Sequence, residues 1–125
     1  MDDSILMRER LARVLSNVQG VQIVGEAVEA DAASISILQL HPDVVILDIE
    51  LARGTGMDVL QTIKKNKPSP VVMMVTNYPE FRAKCLQAGA DYFFDKSTEF
   101  LHIPLVVGDL VKQAREGRGP RLTLN

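Results

Sequence analysis

Apolar residues recur along the chain in two patterns that alternate from the amino to the carboxyl end. Between Ser4 and Val18 they return every third or fourth residue, which predicts an amphipathic helix that Gly20 ends. In the stretch DVVILD, residues 43–48, four of them follow one another without a break. Such a run is typical of a strand that is covered on both faces.

The two patterns continue in turn along the remaining chain. Strands are predicted at VQIVGEA, DVVILD, PVVMMV and DYFFD, and helices at ADAASISILQL, MDVLQTIKKNK, FRAKCLQAGA and, from about Pro104, LVVGDLVKQARE. Strands that alternate with helices indicate βαβ units, which form a parallel sheet with right-handed crossovers. The predicted fold class is therefore α/β.

Polar residues follow directly on the predicted buried strands. Asp48 follows VVIL, Thr76 follows VVMMV and Lys96 follows YFFD, while Asp2 and Asp3 begin the chain. Ligands of open α/β sheets bind outside the carboxyl ends of the strands. We therefore expect a carboxylate, a hydroxyl and an ammonium group to converge at one edge, where the two aspartates at the start add further carboxylates.

Ordinary structural roles compete with functional ones at most of these positions. Asp3 or Ser4 can cap the first helix, and this role is compatible with metal binding. Thr76 alone reads as a strand-end residue, and Lys96 alone as a solvated loop lysine. Asp48 differs, because a carboxylate at the end of a buried strand must find a partner or lose its solvation without compensation.

Composition and charge narrow the class of protein. With 125 residues, 46% hydrophobic and 24% charged, the chain has the size and composition of one globular domain. A net charge of −2 argues against direct nucleic-acid binding, and apolar runs of about five residues are too short to span a membrane. The acidic start is unlike a signal peptide and the single Cys85 cannot form an internal disulfide, so we expect a cytoplasmic protein.

Four motifs occur together in a recognisable order: DD at residues 2–3, ILD at 46–48, VT at 75–76 and DYFFDKS at 91–97. In this respect the chain resembles the receiver domain of response regulators in bacterial two-component systems, from Asp2 to about Glu116. The resemblance implies a flavodoxin-like (CheY-like), doubly wound parallel sheet in three α/β/α layers. It also implies a receiver domain over residues 1–116 and a carboxyl-terminal tail over residues 117–125.

The resemblance further implies a phosphoryl-transfer site. Asp48 would be the phosphoacceptor, and Mg²⁺ would be held by Asp2, Asp3, Asp48 and the backbone carbonyl of Glu50. Oxygen ligands of this kind suit Mg²⁺, which brings the negative charges of donor and acceptor together.

A switch is the second implication of the resemblance. Thr76 and Lys96 would bind the phosphoryl group, and Phe93 would be the aromatic switch residue, although a core position is expected for Phe93 under any interpretation. The Thr76 hydroxyl would move inward. This movement would change the surface formed by the fourth helix and the fifth strand of the family fold. A downstream partner is expected there, around Phe81, Arg82 and Tyr92.

The predicted function is that of a receiver which takes a phosphoryl group from a sensor histidine kinase or a phosphotransfer protein and then changes its binding of a partner. We expect no enzyme activity, no direct contact with nucleic acid or membrane, and a homodimer as one possible assembly. The alternative is a pseudo-receiver, a scaffold that binds partners irrespective of phosphorylation. A hydrolase with an aspartyl intermediate has less support, because such an enzyme needs a second acid placed as a general acid. Glu50 is the only nearby candidate in the sequence.

One departure concerns the start of the chain. The family places an apolar strand of about five residues before the acidic pair, and only Met1 stands there, as after a truncation or a start assigned too far downstream. Its loss corresponds to about 8–15 kcal/mol of burial. Either the tail Arg121–Leu124 or a second chain can fill the slot. Otherwise we expect an unstable or self-associating protein, in which an apolar strand added ahead of Asp2 raises the melting temperature and tightens Mg²⁺ binding.

Overall fold

A computed structural model of the chain describes residues 3–113 and 120–125. The helices are α1 Asp3–Ser16, α2 Ala30–Leu40, α3 Gly56–Lys65, α4 Arg82–Gln87 and α5 His102–Gln113, with a 3₁₀ turn at Pro79–Phe81 before α4. The strands are β1 Gln22–Glu26, β2 Val44–Leu47, β3 Val71–Thr76, β4 Tyr92–Asp95 and β5 Arg121–Leu124. The predicted alternation of helices and strands is confirmed.

The strands form one five-stranded sheet in the order β1-β5-β2-β3-β4. Every pair is parallel, and at the centre Ile46 lies beside Met73 on one side and Leu124 on the other. The α/β class and the doubly wound sheet are therefore confirmed.

The tail strand β5 lies inside the sheet, between β1 and β2. Its backbone pairs with β1 and with β2, and Leu122, Thr123 and Leu124 are at most 1% exposed. The pairing continues one residue further, where the Asn125 N–H donates to the Ile46 carbonyl at 2.7 Å. Of the two fillers expected for the slot of the missing first strand, the structure contains the tail.

Arg121 sets the register of this strand. Its backbone N–H donates to a carboxylate oxygen of Asp43 at 2.8 Å, and the Asp43 N–H donates to the Arg121 carbonyl at the same distance. Its guanidinium donates to the carbonyls of Leu40, at 2.8 Å, and His41, at 3.3 Å, where helix α2 ends. A shift of one residue would break all of these bonds and turn Leu122 and Leu124 to the other face.

Two apolar clusters, one on each face of the sheet, form the core. The first lies under α2, α3 and α4 and includes Ile37, Val45, Leu47, Leu60, Met74, Cys85 and Phe93. The second lies under α1 and α5 and includes Leu11, Leu15, Ile46, Ile103, Val107, Leu122 and Leu124. The sheet is thus covered on both faces, as the unbroken apolar runs predict.

Two helices differ from their predicted bounds. The helix predicted over residues 81–90 is divided into the 3₁₀ turn and a short α4, and Gly89, with φ of 109°, follows its end. Helix α5 begins at His102, ahead of Pro104. Proline is tolerated in a first turn because the N–H groups there have no partner within the helix.

Within the two described ranges, no helix combines the length and the apolar content needed to cross a membrane.

The buried position of β5 makes its apolar side chains sensitive to truncation. We expect Leu124→Ala, at a site 1% exposed, to lower the free energy of unfolding by about 2–5 kcal/mol. The matched control is Leu105→Ala, at a site 67% exposed on α5, for which about 0.5 kcal/mol or less is expected. Urea denaturation measures both, and equal effects would contradict the central position of the tail.

Candidate functional site

The carboxyl ends of β2, β3 and β4 bring the predicted polar residues to one edge of the sheet. The Lys96 ammonium forms an ion pair with Oδ2 of Asp48, and the two side chains are only 9% and 15% exposed. The Lys96 N–H donates to the carbonyl of Thr76 at 3.0 Å, which joins the ends of β3 and β4. Asp48 thus has the partner that its buried position requires.

The orientation of Asp48 is fixed by its own neighbourhood. Its Oδ1 accepts a hydrogen bond from the Glu50 N–H at 3.0 Å, while Oδ2 receives Lys96. The Asp48 N–H donates to the Asn125 carbonyl at 3.1 Å, so the tail holds the backbone of this residue. The result is a carboxylate that is held from two sides beside a cation, as a positioned nucleophile requires.

Gly56 allows helix α3 to begin against the backbone of Asp48. Its N–H donates to the Ile49 carbonyl at 2.8 Å, and a Cβ at this position would lie 2.1 Å from the Asp48 carbonyl oxygen. The preceding Thr55 caps the helix, because its hydroxyl accepts from the Asp58 N–H at 3.3 Å. The glycine at the start of α3 therefore serves close packing next to Asp48.

Thr76 is fully buried, and its hydroxyl forms no hydrogen bond with Asp48. The hydroxyl oxygen accepts the N–H of Tyr78 at 3.3 Å. The negative charge of Glu50, and a hydrogen bond to its carboxylate, raise the pKa of the Tyr78 phenol above its usual value of 10.0. Tyr78 is thus a neighbour of the site that sequence reasoning missed, because its contact with Glu50 joins two separate loops.

Phe93 lies in β4 and is 5% exposed. It pairs with Met74 across the strands, and both belong to the core cluster under α2, α3 and α4. Thr76 lies two residues beyond Met74, so its side chain and that of Phe93 emerge from the same face of the sheet. The expected core position of Phe93 is confirmed.

A cavity of about 380 Å³ opens beside Asp48. Its polar lining consists of Arg8, Asp48, Glu50, Lys96 and Asn125, and its other walls are mostly apolar. Arg8 forms a salt bridge with Glu26 at 3.3 Å, and the Thr123 hydroxyl donates to Oδ1 of Asn125 at 3.1 Å.

Sequence reasoning missed Arg8 and Asn125 as cavity residues. Arg8 is three residues before the buried Leu11, a spacing that places both on neighbouring positions of one helix face. Asn125 directly follows the tail strand, so a parallel placement of that strand brings it to the same edge as Asp48. The residue spacing on α1 could thus have located Arg8, and the convergence of parallel strand ends could have located Asn125.

The predicted Mg²⁺ ligands are only partly covered by the structure. Asp2 and the side chain of Asp3 lie outside the described residues, although the backbone places the start of α1 at Asp3. No cluster of three or more acidic, histidine or cysteine side chains suited to a metal occurs in the described part of the chain. The donors that are described there, the carboxylate of Asp48 and the oxygens of Glu50, are the hard type that Mg²⁺ prefers.

Comparison with known proteins bears directly on this site. The sequence model of the response regulator receiver domain matches residues 1–106, which include Asp48, Thr76 and Lys96. Over 96 residues the chain is 38% identical to a protein-glutamate methylesterase/protein-glutamine glutaminase of Syntrophomonas wolfei, with 77% of the chain and 28% of that protein covered. Over 93 residues it is 32% identical to the sensory transduction protein LytT of Bacillus cereus, with 74% and 38% covered. The chain thus spans well under half of the length of these relatives.

Solved structures agree with the sequence matches. The response regulator domain of Thermotoga maritima CheB superposes with a TM-score of 0.75 at 29% identity, with 90% of each chain covered. The receiver domain of NarL from Mycobacterium tuberculosis gives a TM-score of 0.78 at 30% identity, with 90% of this chain and 93% of that one covered.

The contact between α3 and Asp48 predicts opposite effects for two glycine substitutions. We expect Gly56→Ala to lower the free energy of unfolding by about 3 kcal/mol or more, because the new Cβ meets backbone at 2.1 Å. In Gly108→Ala, within α5, the new Cβ has no neighbour within 4 Å, and a gain of about 0.5–1 kcal/mol is expected. Thermal denaturation compares the two, and a tolerated Gly56→Ala would contradict the close packing.

Proposed function

Because the chain belongs to the response regulator receiver domain family, we propose that Asp48 accepts a phosphoryl group from the phosphohistidine of a sensor kinase or a phosphotransfer protein. The observation that carries this proposal is the ion pair between Asp48 and Lys96 at the carboxyl edge of the sheet. It supplies a nucleophilic carboxylate and, next to it, a cation for the charge that arrives.

The transfer forms one bond and breaks one. An oxygen of Asp48 attacks phosphorus, the bond between phosphorus and the histidine nitrogen breaks, and the histidine keeps the electron pair and takes up a proton. Lys96 leaves the neutralised Asp48 oxygen and pairs with a phosphoryl oxygen. The backbone N–H of Glu50 continues to orient the other carboxyl oxygen, Oδ1, to which it already donates a hydrogen bond of 3.0 Å.

Mg²⁺ is the metal that the oxygen donors at this edge would hold. We assign its binding to Asp2, Asp3, Asp48 and the backbone carbonyl of Glu50. When bound, the ion compensates the charge of the phosphoryl oxygens as donor and acceptor approach.

The switch proposal rests on the face shared by Thr76 and Phe93. The Thr76 hydroxyl can donate its proton to a phosphoryl oxygen, which requires the buried side chain to move toward Asp48. Phe93 would then take the space that Thr76 leaves. The surface that changes is the one around Phe81, Arg82 and Tyr92, where we place the binding of a downstream protein.

The receiver assignment also limits the activity proposed for the chain. The esterase relatives match only in their receiver part, so no methylesterase activity is assigned to this chain. We propose residues 1–116 as the receiver domain, residues 117–125 as a tail whose strand completes its sheet, and the cytoplasm as its location. No observation in the described residues favours the pseudo-receiver alternative, since Asp48 and Lys96 are both present and paired.

The proposal predicts a single hydroxylamine-labile phosphate on Asp48. We expect it in the presence of Mg²⁺ and either a histidine kinase or a small acyl phosphate donor, and we expect no labelling when EDTA is added before the donor. Intact-mass spectrometry measures the phosphate bound, and Asp48→Asn should bind none. The matched control is Asp58→Asn, which replaces an exposed carboxylate in the first turn of α3 and should be labelled like the unaltered protein. Equal labelling of Asp48→Asn and the unaltered protein would overturn the assignment.

A further inference from the structure

Arg82, the first residue of α4, fastens that helix to Phe93. Its guanidinium carbon stands 4.9 Å from the centre of the Phe93 ring, a cation–π distance, and Nη1 donates to the Phe93 carbonyl at 3.4 Å. The side chain of Arg82 is 45% exposed, so it covers the ring from the solvent side. A movement of the Phe93 ring toward Thr76 would therefore break its contact with Arg82.

Glu99 connects the same arginine to the end of β4. Its Oε1 accepts from Nη2 of Arg82 and, at 3.0 Å, from the backbone N–H of Asp95. The Glu99 N–H donates back to the Asp95 carbonyl at 2.8 Å. Asp95 directly precedes Lys96, so one carboxylate holds both the helix and the strand end that carries the Asp48 partner.

The charge state of Glu99 agrees with this arrangement. The hydrogen bond from the Asp95 backbone and the one from Arg82 lower the pKa of the Glu99 carboxyl below its usual value of 4.5. It is therefore ionised at neutral pH and remains an acceptor for both donors.

We propose that Arg82 and Glu99 are positioning residues of the switch: Arg82 holds the Phe93 ring in the place described here, and Glu99 holds Arg82. This inference rests on the proposed function of Asp48. When a phosphoryl group draws Thr76 toward Asp48, Phe93 moves into the space that Thr76 leaves, and this movement separates the ring from Arg82. The contacts of Arg82 with Phe93 and Glu99 oppose this movement. Their loss should therefore favour the phosphoryl-bound arrangement, whereas the loss of a merely structural contact would not.

The chain contains a matched contact at the other end of β4. Lys64 of α3 forms a 3.1 Å salt bridge with Asp91, whose Oδ2 also accepts the N–H of Val72 at 2.8 Å. Here, too, one carboxylate joins a basic helix residue to a strand N–H. Asp91 precedes the amino end of β4, so this contact lies away from the site.

The test is a titration of the full chain with beryllofluoride and Mg²⁺, in which the amide resonances of residues 76–96 report the binding of the probe. We expect Arg82→Ala, which removes both an exposed ion pair and a cation–π contact, to bind the probe about fivefold more tightly than the unaltered protein. Glu99→Ala removes only the ion pair of Arg82, and about twofold tighter binding is expected. Arg82→Lys keeps the charge but not the planar guanidinium. Its affinity for the probe should lie between those of Arg82→Ala and the unaltered protein. Lys64→Ala should lower the melting temperature and leave the affinity unchanged.

Unaltered affinity in both Arg82→Ala and Glu99→Ala, or an equal effect of Lys64→Ala, would overturn the inference. A second measurement is independent of the probe: Arg82→Ala should shift the Phe93 ring resonances and add a second ring conformer. If the unaltered protein fails to bind beryllofluoride, the proposed function fails, and unchanged Phe93 ring resonances in Arg82→Ala overturn the positioning role by themselves.

Discussion

Backbone pairing at the centre of the sheet is the constraint on which the other features depend. Without β5, strands β1 and β2 would each face an empty position, and their N–H and C=O groups would lose partners that a buried strand must have. The tail supplies these partners on both sides at once. It also contributes Leu122 and Leu124 to the cluster under α1 and α5, so the same four residues join the hydrogen-bonded sheet and the core.

The site inherits its geometry from this arrangement. The tail holds the backbone of Asp48 in place. The Asn125 carbonyl accepts the Asp48 N–H, and the Asn125 N–H in turn donates to the Ile46 carbonyl. On the other side, α3 begins against the Asp48 carbonyl because Gly56 has no side chain. Lys96 and Thr76 arrive on neighbouring strands of the same sheet. Asp48 and Lys96 therefore meet as a consequence of strand pairing.

Much of this could be predicted from the sequence because buried strands leave unbroken apolar runs. VVIL and VVMMV locate β2 and β3, and the strand-end rule then correctly predicts that Asp48 and Lys96 meet at one edge. The short β5 was harder, since RLTL is only half apolar and its partners lie 78 or more positions away, as in the bond between Arg121 and Asp43. Sequence reasoning therefore left a second chain as an open alternative for the slot.

Contacts of side chains outside the regular strand pairing account for what remained unpredicted. The hydroxyl of Thr76 was assigned to the phosphoryl group, yet it accepts from Tyr78, and Tyr78 in turn interacts with the charge of Glu50. The pair formed by Arg82 and Glu99 spans 17 residues and has no periodic signal. The contacts between Tyr78 and Glu50 and between Arg82 and Glu99 arise only once the strands have set the distances between the loops.

Amide hydrogen exchange of the full chain tests the central position of the tail most directly. If β5 lies between β1 and β2, the amides of residues 122–125 exchange as slowly as those of Val45 and Leu47, because all open in the same cooperative unit. Rapid exchange of the tail amides while those of Val45 and Leu47 stay protected would contradict the account.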